Sequence, residues 1–193
     1  YHKLRSMSCD ADELERLEEA LEIFEEEKTI KLINLSNFTM KSLRDICKEC
    51  VVRDGCVYGV FDYIFDNTLC MQEYRKQVGN SARQDSMFLA VATELKSIAE
   101  DYNIGIMSMT QLNGKQKTYD VLDERCIFGS TQMKNKLDLG CICTKPTKKD
   151  LAEVEPLIVG DNIPDMITHV YKGRFNKYNQ NIKIWQLYDG STG

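Results

Sequence analysis

The stretch VYGVFDYIFDN, residues 57–67, decides the fold that we expect for this chain. It is apolar from Val57 to Phe61, reaches an acid at Asp62 and then continues apolar. A short apolar run rich in β-branched and aromatic residues predicts a buried strand of a parallel sheet. The carboxylate of Asp62 then falls at the C-terminal end of the strand, where open α/β sheets build their sites. In a nucleotide-hydrolysing domain such a carboxylate holds Mg²⁺ beside the phosphates; the alternative is a solvated acid that merely follows a strand.

Length and composition predict one α/β domain over residues 1–193, because the chain is long enough for one sizeable core but not for two. No apolar run is long enough to span a membrane, and no signal-peptide pattern opens the chain. The net charge of −5 excludes a polybasic nucleic-acid binder, so a contact with DNA would need a local basic patch. Because the first residue is Tyr1 rather than Met, we expect a processed chain or an excised fragment.

The eight cysteines lack the density and regular spacing of a secreted disulfide scaffold, which favours a reduced, cytoplasmic compartment. Cys47 and Cys50 form a C-x-x-C pair inside a predicted helix, and Cys56 follows closely. A zinc site there would need a further ligand pair or a histidine, and neither is near in sequence. Cys141 and Cys143 alternate on a predicted strand and are expected to be packing residues.

The hydrophobic pattern predicts alternating helices and strands as far as residue 109. In chain order these are a helix from Ser8 or Asp10 to Glu27, a strand at 28–35, a helix from Thr39 or Ser42 to Val52, the strand that begins at Val57, a helix at 86–102 and a strand at 104–109. Residues 67–84 show little periodicity and several basic side chains, which indicates a mobile loop. Strands are predicted at 139–143, 166–171 and 182–188, with an irregular insertion at 144–165. This order implies a mostly parallel sheet flanked by helices that finishes in an antiparallel hairpin.

Four local motifs occur in a characteristic order along nearly the whole chain. They are Asp62-Tyr63 after the central strand, Thr110-Gln111-Leu112-Asn113-Gly114 after the next one, STQMKNKLD at 130–138, and Lys172-Gly173-Arg174-Phe175-Asn176 in the closing hairpin. In this order they resemble the ATPase domain of DnaB-type replicative DNA helicases, a branch of the RecA-like fold. That family has an Asp-Tyr pair in its Walker B strand, a Ser-Gln-Leu-Asn-Arg motif and a Lys-x-Arg-Asn-Gly element. The resemblance implies a RecA-like fold and an ATP-dependent, hexameric DNA helicase.

Two parts of the family pattern are not found in these residues. The Walker A phosphate loop, Gly-x-x-x-x-Gly-Lys-[Ser/Thr], and the strand with the catalytic glutamate are expected before Tyr1, since His2 to Ser6 resembles a segment just after that glutamate. The resemblance therefore implies the C-terminal part of the ATPase domain, with its N-terminal part missing. Near Phe128 to Thr131 the chain also departs from the Arg-Glu-Ser-Gly loop that contacts single-stranded DNA in the family.

The resemblance assigns chemical roles to four residues of this sequence. Asp62 would help hold Mg²⁺ at the phosphates of ATP, directly or through water, and Gln111 would donate to the γ-phosphate or to the attacking water. Lys172 and Arg174 are one residue apart on a strand, so both project to one side. In the family this pair reaches the nucleotide of the neighbouring subunit, with the arginine as a finger. The alternatives are a strand-end amide for Gln111 and an exposed basic hairpin for Lys172 and Arg174.

Four lysines are the DNA-binding candidates: Lys115, Lys117, Lys134 and Lys136. They lie on two predicted loops that would face the channel of the ring, and lysine contacts with phosphates position a strand without reading its sequence. The resemblance implies 5′–3′ translocation on single-stranded DNA, duplex unwinding, a homo-hexamer, and a primase and a helicase loader as partners, in the cytoplasm of a bacterium or encoded by a phage. No membrane partner is expected.

Three other functions stay open from the sequence. One is a recombinase-like or regulatory RecA-type ATPase, another is a non-catalytic helicase-like module that docks a helicase or loader, and the third is a redox or zinc protein built on the cysteines. For the chain alone we expect negligible ATP hydrolysis and weak nucleotide binding, because the phosphate loop is not part of it. The resemblance also implies a monomer or weak oligomer, because the N-terminal collar that supports rings in this family is not part of these residues.

Overall fold

A computed structural model describes residues 8–27, 30–63, 67–79, 81–114, 122–128, 131–157, 163–174 and 182–187. Contacts divide the chain into two compact units, Tyr1–Ser36 and Asn37–Gly193, which we describe separately. The helices are α1 (Ala11–Glu27), α2 (Met40–Asp54), α3 (Thr68–Val78), α4 (Gln84–Tyr102) and α5 (Lys148–Val154). The strands are β1 (Tyr58–Phe61), β2 (Gly105–Ser108), β3 (Leu139–Thr144), β4 (Met166–Gly173) and β5 (Ile182–Gln186). None of the helices in these described ranges is long and apolar enough to cross a bilayer.

The described part of the first unit is built on α1, an acidic helix. Asp10 caps it: its carboxylate accepts from the backbone N–H of Glu13 at 2.9 Å, and the carboxylate of Glu13 accepts from the N–H of Asp10 at 3.1 Å. This reciprocal pair satisfies two donors that a helix start leaves open. The sequence therefore predicted the start and end of this helix correctly. No residue of α1 is buried.

In the second unit β1 and β2 form a parallel pair, registered from Tyr58 opposite Gly105 to Phe61 opposite Ser108. Hydrogen bonds from Gly105 N to Val57 O and from Met109 N to Phe61 O, both 3.0 Å, extend the pairing at each end. The connection between the two strands contains α3 and α4, and a helical crossover of this kind is what a parallel pair requires. The two strands predicted around residues 57 and 104 are confirmed, but the prediction that they are buried is wrong. Each alternates between exposed and half-buried residues, and Tyr58, Val60 and Met107 are exposed, because the described part of this sheet has only two strands.

The remaining strands form a separate antiparallel sheet in the order β3-β4-β5. Leu139 to Thr144 pairs with Gly173 to Ile167, with an irregularity between Gly140 and Cys141, and β4 pairs in turn with β5. The closing hairpin predicted from the sequence is confirmed.

The structure is thus mixed α/β, but the mostly parallel sheet expected from the sequence is replaced, among the described residues, by a two-stranded parallel sheet and a three-stranded antiparallel one. The reason lies in the connections. β1 and β2 are joined through the long crossover of α3 and α4, whereas the described part of the chain between β2 and β3 has only short 3₁₀ turns at Glu124–Cys126 and Thr131–Lys136, and α5, between β3 and β4, is only seven residues long. β3 accordingly takes its partner from the following strand.

Helix α4 supplies more buried residues to the described core of the second unit than any other element. Its buried face consists of Met87, Phe88, Val91, Ala92, Leu95 and Ile98. These residues recur at helical spacing, which is why the sequence predicted this helix well. Asn103 ends it in the left-handed conformation at φ 52°, a conformation that asparagine tolerates. Helix α2 is capped as predicted by Thr39 and Ser42, whose side chains each accept from the backbone N–H of the other.

Three segments differ from the sequence prediction. Residues 30–35, the described part of the predicted strand at 28–35, form no strand. The predicted loop at 67–84 contains α3, because the buried Asn67 caps it with a 3.0 Å bond to the N–H of Cys70 and Glu73 anchors it to Met40 N at 2.6 Å. The predicted irregular insertion at 144–165 contains α5, which Thr147 and Asp150 start with a capping box.

Candidate functional site

The carboxyl ends of β1 and β2 lie at one edge of the parallel pair, and the chain presents two predicted site residues there. Asp62 follows β1 directly and is exposed, and Gln111 follows β2 by three residues and is also exposed. The last paired residues, Phe61 and Ser108, are neighbours across the pair. The sheet therefore brings an exposed carboxylate and an exposed carboxamide to the same edge.

The backbone around Gln111 is held by a short ribbon with residues 125–128. The carbonyl of Gln111 accepts from Phe128 N at 2.9 Å, Leu112 bridges to Ile127, and Asn113 N donates to the carbonyl of Cys126 at 2.8 Å. The Asn113 side chain also donates to the carbonyl of Arg125 at 2.5 Å. These bonds fix the path of the chain after β2, so the position of Gln111 is set by the backbone on both sides of it.

A small core joins this ribbon to the antiparallel sheet. Its buried members are Cys126, Ile127, Ile142 and Tyr171, with Leu112, Leu122 and Leu137 packed against them. Burial raises the pKa of the Tyr171 hydroxyl to about 12, so this side chain stays neutral at physiological pH. The segment that carries Gln111 and the strand that leads to Lys172 and Arg174 therefore pack on shared side chains.

Lys172 and Arg174 contact one segment, the turn between residues 134 and 138. The ammonium of Lys172 donates to the carbonyl of Lys134, and Arg174 Nη2 donates to the carbonyl of Asn135 at 3.0 Å. The predicted projection to a common side agrees with these contacts. Burial, and next the charge of Arg174, lower the pKa of Lys172 from its ordinary value. The side chain of Arg174 is 40% exposed.

Asp138 lies at the centre of this cluster. Its carbonyl accepts from Arg174 N at 2.7 Å, its Oδ1 lies 3.0 Å from Arg174 Nη1, and its Oδ2 accepts from Lys96 Nζ on α4 at 2.7 Å. The Oδ1 contact is an ion pair by distance without the directed geometry of a hydrogen bond. The hydrogen bond from Lys96, and after it the nearby charges, hold the pKa of the Asp138 carboxyl below its ordinary value.

Two of the four DNA-binding candidates lie in the described part of the chain. The ammonium of Lys134 pairs with Glu124, which lowers the pKa of that carboxyl, and Lys136 is partly buried at the end of the same turn. Lys115 and Lys117 lie outside the described residues. At Lys134, therefore, a phosphate would have to compete with a carboxylate already in place.

All eight cysteines are free thiols. Cys141 and Cys143 are exposed, so the prediction that they are packing residues is wrong: on β3 the buried positions are Gly140 and Ile142. Burial raises the pKa of Cys47 to about 11, which disfavours the thiolate that zinc requires. No group of three or more histidine, cysteine or acidic side chains in the described part of the chain is arranged to hold a metal ion. A single exposed carboxylate such as Asp62 still suits Mg²⁺, which keeps several waters and takes its other ligands from phosphates.

Sequence reasoning included Asp138 only as part of a loop and did not select Lys96. The contacts between Lys96, Asp138 and Arg174 join three elements, and the link from residue 96 to residue 138 crosses 42 positions. The sequence held one signal of this contact. Asp138 is an acid directly before β3, and Lys172 and Arg174 lie at the end of its partner strand β4. Antiparallel pairing of β3 with β4 would have placed that acid beside them.

No protein family model matches this chain. The chain is 28% identical over 166 residues to the SPbeta prophage-derived uncharacterized protein YorI of Bacillus subtilis (strain 168). The match covers 83% of this chain and 33% of that protein. The chain thus spans about a third of the length of this relative.

Proposed function

We propose that this chain is the C-terminal portion of the RecA-like ATPase domain of a DnaB-type replicative DNA helicase. In this proposal a homo-hexamer couples ATP hydrolysis to 5′–3′ translocation on single-stranded DNA and to duplex unwinding. The single observation that carries it is the parallel pairing of β1 and β2, which brings Asp62 and Gln111 to one carboxyl edge. Ligands of open α/β sheets bind at such edges.

At that edge the two side chains have complementary chemistry for a nucleotide. The exposed carboxylate of Asp62 would hold Mg²⁺ directly or through water, and Gln111 would orient the γ-phosphate or the attacking water through its neutral amide. Bound Mg²⁺ neutralises charge on the β- and γ-phosphate oxygens. The ribbon with residues 125–128 supports this role, because it restrains the backbone of Gln111 on the side away from the strand. Positioning of this kind is the main contribution that a protein makes to phosphoryl transfer.

Arg174 is the proposed finger that acts on the nucleotide of a neighbouring subunit. Its contacts with Asn135 and Asp138 use only part of the guanidinium, which carries more N–H donors than these two, and the side chain remains 40% exposed. Lys172 would assist, but its ammonium must first leave the carbonyl of Lys134. An arginine that acts in trans makes a ring a chemical requirement.

The proposed DNA contacts are phosphate contacts from Lys115, Lys117, Lys134 and Lys136 in the channel of the ring. Six copies of such a basic patch would act together in spite of the net charge of −5 per chain. A primase and a helicase loader are the proposed partners. Similarity to a prophage-derived protein supports a phage origin.

One observation favours a second candidate, a helicase-like module without catalysis. Lys172 and Arg174 both contact carbonyl groups of their own chain, so the hairpin can serve as a structural clamp on residues 134–138. A recombinase-like ATPase is a further alternative within the same fold, and it would form filaments rather than closed rings.

The test is ATP turnover by the full-length polypeptide that carries this segment, with and without single-stranded DNA. For Arg174→Ala we expect turnover to fall by about 1,000-fold or more while nucleotide binding survives, since an arginine finger acts on the transition state. Arg53→Ala is the matched control, because Arg53 is an exposed arginine that pairs only with nearby Glu49 and Asp54 among its described contacts. We expect wild-type turnover from it. Absence of DNA-stimulated turnover in the wild type would leave the non-catalytic module as the better proposal.

Mixing two inactive variants separates action in trans from action in cis. Subunits with Asp62→Asn still provide Arg174, and subunits with Arg174→Ala still provide Asp62. If each nucleotide site takes one residue from each of two neighbours, random mixed rings regain up to about a quarter of the sites. If both residues serve the same subunit, mixing restores nothing, and the in-trans role of Arg174 is wrong.

A further inference from the structure

Asp138 occupies the junction between the turn at Thr131–Lys136 and the first residue of β3. Its backbone and its carboxylate both contact Arg174, through the carbonyl at 2.7 Å and through Oδ1 at 3.0 Å. The second carboxylate oxygen is taken by Lys96 Nζ at 2.7 Å. One short acidic residue therefore connects the hairpin to helix α4.

The charges along this contact alternate, with Lys96 positive, Asp138 negative and Arg174 positive. Lys96 is further anchored to Glu100, one helical turn on, at 3.3 Å. The hydrogen bond to Asp138 raises the pKa of Lys96, and the same bond lowers the pKa of Asp138. Both groups are charged at neutral pH, so the carboxylate is held from the helix side and faces the guanidinium with its other oxygen.

The guanidinium of Arg174 is consequently held at two points, both within residues 135–138. Nη1 faces the carboxylate of Asp138, and Nη2 donates to the carbonyl of Asn135. A long side chain fixed at two points loses most of its rotamer freedom before it meets a ligand. The direction in which its remaining donors point is then set by Asp138 rather than by the strand alone.

We propose that Asp138 is a positioning residue that aims the Arg174 guanidinium, with Lys96 holding Asp138 in place from α4. This inference rests on the proposed function, in which Arg174 reaches the nucleotide of a neighbouring subunit. Asp138 does not touch that nucleotide. It acts only through Arg174, and this distinguishes it from a residue that merely stabilises the fold.

The experiment measures kcat and KM for DNA-stimulated ATP hydrolysis by the full-length polypeptide. For Asp138→Asn we expect kcat to fall by about 10- to 100-fold, since a misplacement near 1 Å can cost about 100-fold, while KM for ATP changes by less than about threefold. Asp138→Glu keeps the charge and recovers part of kcat. Lys96→Met keeps the Asp138 carboxylate but removes its anchor on α4, so it should lower kcat less than Asp138→Asn does.

The decisive measurement is the double variant. In an Arg174→Ala background Asp138→Asn should add less than about a twofold loss, because a positioning residue has nothing left to position. Asp150→Asn is the matched control. Asp150 also accepts from a lysine, Lys183 on β5 at 3.2 Å, but it belongs to the capping box of helix α5 and not to the cluster around Arg174. We expect Asp150→Asn to leave kcat of the folded enzyme unchanged.

The outcomes separate this inference from the function on which it rests. If the wild type hydrolyses no ATP, the helicase proposal fails and the role of Asp138 fails with it. If Arg174→Ala is inactive but Asp138→Asn keeps wild-type kcat, or if the two losses multiply in the double variant, only the role of Asp138 is wrong. A parallel fall of kcat in Asp138→Asn and Asp150→Asn would likewise assign Asp138 to general stability.

Discussion

Alanine at position 140 would place a methyl group in steric clash with the hydroxyl end of the Tyr171 ring. A Cβ built on Gly140 lies 2.4 Å from Tyr171 Cζ, 2.7 Å from its hydroxyl oxygen and 2.8 Å from Cε2. Contacts this short force either the ring or the strand to move. The ring cannot swing into solvent, because Tyr171 is 8% exposed and belongs to the core with Cys126, Ile127 and Ile142.

The expected magnitude follows from two opposing terms. Overpacking a filled core costs about 1 to 3 kcal/mol. Against this, alanine in a strand is better than glycine by about 0.5 to 1 kcal/mol, because glycine loses more backbone freedom on folding. Because the contacts at Gly140 are far shorter than real Cβ contacts, the upper part of that range, about 2 to 3 kcal/mol, applies, and Gly140→Ala should lower the free energy of unfolding by roughly 1 to 2.5 kcal/mol.

Two other strand glycines are matched controls. A Cβ on Gly59 would meet its neighbours at 3.6 Å and 3.9 Å, which is ordinary contact, so Gly59→Ala should be neutral or slightly stabilising. A Cβ on Gly105 would lie 2.6 Å from the ring of Tyr58, but that ring is 79% exposed and can rotate away. We expect Gly105→Ala to change stability by less than about 0.5 kcal/mol.

Urea unfolding of the 193-residue chain, followed by the fluorescence of Trp185, measures these differences. Trp185 is the one tryptophan of the sequence, and it lies on β5 of the sheet that contains Gly140. Combining Gly140→Ala with Tyr171→Leu removes the ring tip, so in that background the alanine should cost nothing further. Wild-type stability of Gly140→Ala, or an equal loss in the Tyr171→Leu background, would refute the steric argument.

Two further predictions concern helix packing in the second unit. Asn67 is 1% exposed and caps α3 through the 3.0 Å bond from Cys70 N. In urea titrations Asn67→Ala should lower the free energy of unfolding by about 1 to 2 kcal/mol, and Asn67→Ser, which keeps an acceptor, should lower it by less. Equal losses in the two variants would contradict the capping role. Arg44 holds Glu94 at 2.5 Å and Asp101 at 2.6 Å, and its hydrogen bond lowers the pKa of Asp101. A carboxyl whose pKa is lower in the folded state stabilises the fold at every pH above its ordinary pKa. This stabilisation is lost as the pH falls through the lowered pKa, so wild-type stability should decline below about pH 4. Arg44→Met should be less stable at pH 7 and decline less on acidification, and parallel pH profiles for the two proteins would exclude this pair as the cause.

The candidate site was predictable where it depends on strands and their ends. The apolar runs before Asp62 and Gln111 predicted both strands, and the rule that parallel strands end at one edge predicted that the two residues share it. The contacts of Lys172 and Arg174 were beyond such reasoning, because they reach carbonyl groups 38 and 39 residues earlier in the chain. No local pattern encodes a pairing over that distance.

Local sequence determined the elements whose periodicity and capping residues agree, such as α4 with its buried stripe and α2 with Thr39 and Ser42 at its start. Tertiary structure decided three other features. It made a helix of Thr68–Val78, where weak periodicity is offset by the buried cap of Asn67 and by the anchor of Glu73. It divided the strands into a parallel pair and an antiparallel sheet. It also brought Asp138 between α4 and the hairpin. The physical reason is common to all three, since burial and ion pairing between distant segments outweigh the small preferences of single residues.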